Sequence, residues 1–412
     1  MAGSRGISVP DAIACIRRAL APLPTVELPL ELAHGRVLAA ELRARADHPS
    51  ADDSAIDGVA CSLSDTAGAS PDAPVRLRLV GEVPAGRPFA GEVGPGEAVV
   101  IYTGGLMPEG ADAVVPVERL RIEGDTVWVE RPASPRDVRP RGQALRAGAV
   151  ALDAGARLDG HALALAASAG HGRVRVARAP RLAVVVTGDE LVPPGDADLP
   201  PGRLFESNGP GLAALARAAH AEVIAVERVA DDTDALRRRL DAAAEGADLI
   251  VTSGGVSMGA RDLVRALLER EGEVLFWRVA MKPGGPTLFG RWRGAPLLGL
   301  PGNPVASLVV FWLLGHPALQ ALEGDRAPAP SEAPWPARAG HGLQGASGRM
   351  QYARVRLRRR GAHLVAEPVA TQSSGVLRSL TDADALAVLL PDRSPQPGDP
   401  VDVLPFRPTF RG

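Results

Sequence analysis

Only two cysteines occur in 412 residues. Cys15 and Cys61 form no CxxC pair and are too few for a disulfide framework, which fits a reducing, cytoplasmic setting. Charge of either sign is nearly balanced, with a formal net charge of −2, so no general attraction to nucleic acid or to an anionic membrane is expected. Long apolar runs are missing: no window approaches the run of about 18 residues that reads as a bilayer span. The nearest, HALALAASAG at 161–170, is too short. The start, MAGSRGISVPDAIAC, has no apolar signal core. The eight histidines show no HxxxH or Cys/His spacing, which removes a protein-made zinc site. What is present is 46% hydrophobic residues, enough for the cores of a multidomain soluble protein, and 46 glycines with 38 prolines, which call for many loops.

The chain changes character along its length. ISVPDAIACIRRAL has a capping Ser8, an early Pro10 and apolar residues at helical spacing, which predicts a helix. ADHPSADDSAIDGVACS reads as a loop of about fifteen residues, long enough to need a reason. From 72 to 140 short alternating runs such as VRLRLVG and EAVVIYTG predict a small β domain. This domain is inserted into a mixed helical one, whose second half contains HALALAASAG. From 180 to 325 continuous apolar strands alternate with amphipathic helices, the pattern of a mostly parallel sheet covered on both faces. The Ala-, Pro- and Gly-rich stretch 321–347 reads as a linker, and 348–412 returns to strands. The expected units are 1–47 with 141–178 (mixed helical), 48–140 (inserted β), 179–325 (α/β) and 330–412 (C-terminal β).

Ligands of doubly wound sheets sit beyond the carboxyl ends of strands. Three loops fall there: TGDEL at 187–191, TSGGVSMGARD at 252–262 and LPGNPVAS at 300–307. In the second, Gly254 and Gly255 can expose N–H groups, Ser253 and Ser257 can add hydroxyls, and a helix expected near Ala260 supplies further donors for an anion. Asp262 suits a divalent cation or a ligand ring better than a bare phosphate. The loop matches neither GxxxxGK[ST] nor GxGxxG, and a tight turn with purely steric glycines is the competing reading. In the third loop Asn303 caps the helix opened by Pro304, reads a ligand, or does both where the helix end meets a phosphate, and Ser307 can cover a ligand oxygen. Glu190 and Asp189 either face water or serve the site. Asp231 and Asp232 either cap the next helix or act in catalysis. Lys282, at a strand-to-turn junction in FWRVAMKPGG with Arg278, either neutralises a phosphate or is an ordinary surface lysine. Asp57 in SAIDGVA stands before a glycine, a turn pair by itself. The residues thus point to an anionic, phosphorylated small molecule and to carboxylates suited to hard cations, with no nucleophile–base pair.

SAIDGVA, TGGLMPEGADAVVPVE at 103–118, VVVTGDEL, ESNGP, TSGGVSMGARD, FWRVAMKPGGP and LGLPGNPVAS, in this order, resemble the molybdopterin molybdenumtransferase family (the MoeA or gephyrin E-domain type). The resemblance implies four domains, an elongated homodimer with its active site near the subunit interface, and transient contact with molybdopterin adenylyltransferase. It implies adenylylated molybdopterin and molybdate as substrates, with Mg²⁺ present and AMP released. Carried over by motif, Asp57, Thr103, Glu190, Asp231 and Lys282 are the expected catalytic residues. Asp57, Glu190 and Asp262 are the expected cation ligands. Ser253, Gly254, Gly255, Ser257, Asp262, Arg278, Pro301, Asn303, Pro304, Ser373 and Ser374 are expected to bind the substrate. The chain departs from the family pattern at Val59, Arg278 and Gly285, and at Asp137 and Gln143-Ala144, where the departure implies a changed molybdate end, with tungstate preference or reduced activity as the alternatives to ordinary activity. Two other classes stay in view: adenylyl transfer from ATP, and a scaffold without catalysis.

Overall fold

The computed structural model describes residues 6–196, 198–256 and 262–406. At its centre lies a six-stranded sheet. Glu222–Val229, Arg181–Thr187, Leu249–Ser253 and Ala295–Leu300 run parallel in that spatial order. Leu288–Trp292 and Glu273–Trp277 continue it antiparallel. Leu249–Ser253 is buried throughout and Arg181–Thr187 at all but its first residue, which is why both read as unbroken apolar runs rather than alternating ones. Helices Asn208–Ala218 and Pro304–Val310 cover one face, around Leu212, Val309 and Phe311. Thr233–Ala244 and Leu263–Glu271 cover the other, around Leu236, Leu240 and Leu267.

The amino-terminal helix Val9–Ala19 is capped by Ser8, whose Oγ accepts from the Asp11 N–H at 3.2 Å. Its Val9, Ile13 and Ile16 enter the first core of the central sheet, although the sequence pattern groups residues 1–47 with the mixed unit. Pro304–Glu323 is long and apolar enough to cross a bilayer, but 78% of that window is buried in the protein. It is therefore the core helix of the α/β domain, and it is the stretch nearest to a membrane span in place of 161–170.

The mixed region pairs Thr25–Pro29 with Arg173–Ala177 and carries helix Gly160–Ser168, capped by Asp159. The inserted sheet has the order Ala113–Pro116, Gly58–Cys61, Glu97–Ile101, Val75–Val83, Thr126–Val129, Leu120–Glu123. Gly58–Cys61 is an inner strand, buried along its length and paired on both sides. The expected long loop is therefore shorter than the polar pattern implies. In the C-terminal domain Met350–Arg360 pairs with both His363–Pro368 and Ala385–Leu389, closing a five-stranded barrel with Trp335–Ala339 and Pro400–Pro405. The short strand Met281–Lys282, contributed by the central region, adds in parallel to Met350–Gln351 of that barrel.

A buried ionic junction ties the mixed region to the core helix. Arg157 donates to Glu323 at 2.7 Å, to Asp325 at 2.9 Å and to the Gly35 carbonyl at 2.6 Å. Both carboxylate side chains are 1% exposed.

Candidate active site

The carboxyl ends of the parallel strands open onto two adjoining chambers that share Pro286, Pro301 and Asn303. The larger, about 600 Å³, is a basic and hydroxylic space. Lys282 and Arg349 line it together with Gln372, Ser373 and Ser374. The smaller, about 340 Å³, is acidic, with Glu190 and Glu206 beside Asn208, Phe205 and Pro304. Among the described residues neither Lys282 nor Arg349 makes an ion pair, so both charges are available to an anion in the chamber.

The walls come from distant parts of the chain. Lys282 ends the short strand bonded to the barrel, where the Met350 N–H donates to the Ala280 carbonyl at 2.9 Å. Gly284 follows at φ +100, and a Cβ there would lie 2.2 Å from Val310, so only glycine fits the turn. The Ser373–Ser374 segment is held from below by Arg354, which is fully buried and donates to the carbonyls of Thr371 and Ser373. Burial lowers the Arg354 guanidinium to about 10. The Gln372 amide brackets the Arg354 backbone at 2.9 and 2.8 Å, and the Val305 N–H donates to Ser374 O at 3.1 Å.

Several expectations change in this geometry. Ser253 Oγ lies within hydrogen-bond reach of Asn208, Pro301 O and Ser307 Oγ, and both serines are fully buried. They knit the strand ends together instead of covering a ligand. The Gly254 N–H is committed to Leu300 O at 3.0 Å. Gly254 has φ +99, and a Cβ would sit 2.6 Å from Thr187 Oγ1, so it serves the close approach of two loops. Gly255, at φ +67, is likewise a turn glycine. Ser257 lies outside the described residues. The described helix begins at Leu263, later than expected, with Asp262 at its cap position but making no side-chain cap bond. Asn303 also stands at a cap position without a side-chain cap bond, which leaves its amide facing both chambers. Asp232 caps Thr233–Ala244 through Ala235 at 2.7 Å, while the Asp231 N–H donates to Asp189 at 3.0 Å. Arg278, at φ +73, places its guanidinium 5.3 Å from the Trp277 ring and lines neither chamber.

Asp57 and Thr103 meet each other in the inserted domain. Asp57 Oδ1 accepts from the Thr103 N–H at 2.7 Å and from its hydroxyl at 2.8 Å. These bonds hold the Asp57 carboxyl below its usual range, backbone donor first. The pair lines neither chamber. Among the described residues no three His, Cys, Asp or Glu side chains converge on a metal-sized space. Asp57, Glu190 and Asp262 therefore do not form a common cage within one chain, because the inserted domain carries the first away from the strand-end loops that carry the others.

The motif reading assigns no role to Arg349, Arg354, Gln372, Glu206 or Asn208. Glu206 and Asn208 belong to the ESNGP motif, and Gln372 immediately precedes Ser373. A further signal was available for Lys282, which is the sole lysine in a chain whose other cationic side chains are arginines.

Three family models cover most of the chain. Residues 7–170 match the MoeA N-terminal region (domain I and II), 183–321 a probable molybdopterin binding domain, and 336–406 the MoeA C-terminal region (domain IV). The chain is 37% identical over 307 residues to a molybdopterin molybdenumtransferase of Haemophilus influenzae, covering 74% of each. It is 40% identical over 306 residues to molybdopterin molybdenumtransferase 2 of Mycobacterium tuberculosis, covering 73% of this chain and 75% of that one. The crystal structure of the molybdopterin biosynthesis protein moeA from Pyrococcus horikoshii OT3 superposes with a TM-score of 0.84 at 26% identity, over 98% of this chain and all of that one.

Proposed function

We propose, for a chain that belongs to the MoeA family of molybdopterin molybdenumtransferases, that the two-chambered cleft is where molybdate is joined to adenylylated molybdopterin. The observation that carries this reading is that Lys282 and Arg349, neither ion-paired among the described residues, share a chamber with the Ser373–Ser374 hydroxyls, at the strand ends and beside an acidic chamber. Water cleaves the phosphoanhydride and AMP leaves; the two dithiol sulfurs then bind molybdenum while one molybdate oxygen departs as water with the two thiol protons. Lys282 and Arg349 hold the oxyanion and offset charge that develops on phosphate oxygens. Ser373 and Ser374 orient those oxygens by donating hydrogen bonds.

Mg²⁺ is commonly held by one or two carboxylates plus substrate phosphates and not by an all-protein cage. Glu190 and Glu206 are the pair that this chain offers for that purpose, and the cation would supply charge neutralisation at the phosphates. Glu206 already accepts from the Gly209 N–H through Oε1, which fixes the carboxylate with its other oxygen left over. Asp231 and Asp262 support the acidic side, and Asp57 with Thr103 completes the site from a second copy in a homodimer. The protein works in the cytoplasm, takes small-molecule substrates and meets molybdopterin adenylyltransferase transiently. Its units are 1–47 with 141–178, apart from the helix Val9–Ala19 that packs on the central sheet, then 48–140, 179–325 and 330–412.

The test is an insertion assay on adenylylated molybdopterin with molybdate or tungstate, with and without Mg²⁺. Because Lys282 is the only lysine, an amine-directed reagent labels one side chain, and substrate should protect it. Absence of protection would overturn the cleft assignment. Mixing Asp57→Ala with Lys282→Ala protomers should restore about a quarter of wild-type turnover if opposite subunits complete each site. No recovery would put Asp57 and Lys282 in one site of the same protomer, and an Asp57→Ala protein that is active on its own would place Asp57 outside the reaction.

A further inference from the structure

We infer that Phe205 is the stacking platform that selects the flat heterocycle of the substrate; this rests on the cleft being the substrate site. Phe205 is 42% exposed and is the only aromatic side chain lining either chamber among the described residues. The chain has only seven phenylalanines, and an exposed ring on the wall of a polar cleft leaves apolar surface that a ligand can cover.

The backbone that carries the ring is held in place. Leu204–Phe205 pairs in parallel with Leu191–Val192. On either side of Phe205, the Leu204 N–H donates to Glu190 O at 2.8 Å and the Glu206 N–H donates to Val192 O at 2.9 Å. Fixing the backbone this way leaves only the side-chain torsions to be ordered when a ligand stacks on the ring. Around it stand Glu190 and Glu206, with Leu191, Leu204 and three prolines completing the apolar part of the wall.

This combination has a chemical meaning. A flat nitrogen heterocycle offers a π-face to Phe205 and an N–H edge to carboxylate acceptors. The basic chamber next door suits the phosphates and the oxyanion. The cleft is thus divided by charge, and the acidic chamber takes a ring. Two parts of the substrate share this ring chemistry, the pterin and the adenine.

The measurement is the midpoint at which substrate protects Lys282 from an amine-directed reagent, followed in the full-length protein. Phe205→Ala should raise that midpoint about tenfold, the scale of one lost base–aromatic stack. Phe205→Leu, which keeps apolar bulk without a π-face, should fall close to Ala, and Phe205→Tyr should stay close to wild type. AMP alone and a simple 2-amino-4-oxopteridine alone are the two ligand arms, and the one whose protection weakens in Phe205→Leu identifies the stacked ring. A Phe205→Leu midpoint equal to wild type for both overturns the inference while leaving the cleft assignment standing. A loss of dimer in Phe205→Ala by sedimentation, with protection unchanged per dimer, also overturns it and makes the residue a subunit contact. Failure of substrate to protect Lys282 in the wild-type protein is the separate failure of the cleft assignment.

Discussion

Arg157 and Lys282 are both cations where two parts of the molecule meet, yet their surroundings are opposite. Arg157 is closed off by Glu323, Asp325 and a backbone carbonyl. Burial raises the Glu323 carboxyl, an effect its bond to Arg157 opposes. Lys282 faces a chamber of about 600 Å³ beside a second cation, and no acid pairs with either among the described residues. A buried pair is costly to break because the orphaned charge cannot reach water. Two cations that line one open chamber without an acid partner leave their charge to an incoming anion. The first arrangement fixes domains and the second receives ligands, and the difference lies in the partners rather than in the cation.

This contrast can be broken first at the junction. Arg157→Ala should cost about 3–5 kcal/mol of stability, because two buried carboxylates lose their partner; urea denaturation measures it, and a loss under about 1 kcal/mol would show that the junction is not closed. Lys282→Ala should do the reverse, with kcat/KM falling roughly a hundredfold and stability unchanged within about 0.5 kcal/mol. Lys282→Arg should recover little, since a planar fork does not replace a point charge.

His316, half-buried and within reach of the Arg157 charge, sharpens the contrast through pH. Burial, aided by the Arg157 charge, lowers it from 6.5 to about 4. The unfolded chain therefore binds the proton first, and stability falls as pH drops from about 6.5 to about 4. His316→Leu should flatten that part of an unfolding-versus-pH curve. The smallest effect is expected at Thr103→Val. It removes the hydroxyl bond but not the backbone one, so the Asp57 pKa should rise part of the way to its ordinary value. The stabilisation from ionised Asp57 is present above the ordinary carboxyl value and is lost as pH falls through the depressed one. Carboxylate carbon shifts against pH would measure the change, and an unmoved Asp57 titration would mean that the hydroxyl bond contributes nothing.

The α/β domain was legible because its strands are buried on both faces and its helices carry one apolar stripe, so the periods differ and alternate. The three strand-end loops followed from that. Gly58–Cys61 was not legible: GVAC is short, follows a polar stretch and is buried on both sides, so it shows no alternation. Lys282 was visible as a residue at a turn, but its company was not. Arg349, Arg354 and Gln372 arrive from the barrel, and no local pattern marks a side chain whose role depends on a contact made far along the chain. Ser253 misled because a serine after a strand looks the same whether it faces a ligand or a buried asparagine. Asp57 and Thr103 lie 46 positions apart, and resemblance named both without indicating that they bond to each other.

Met281–Lys282 belongs by sequence to the α/β region and by hydrogen bonding to the barrel. The lysine is therefore inherited with one domain and aimed by another. Recombination that moved the α/β segment alone into a new protein would carry the codon but lose the ladder that sets its direction. The cleft is therefore a property of the pair of domains, and neither supplies it alone.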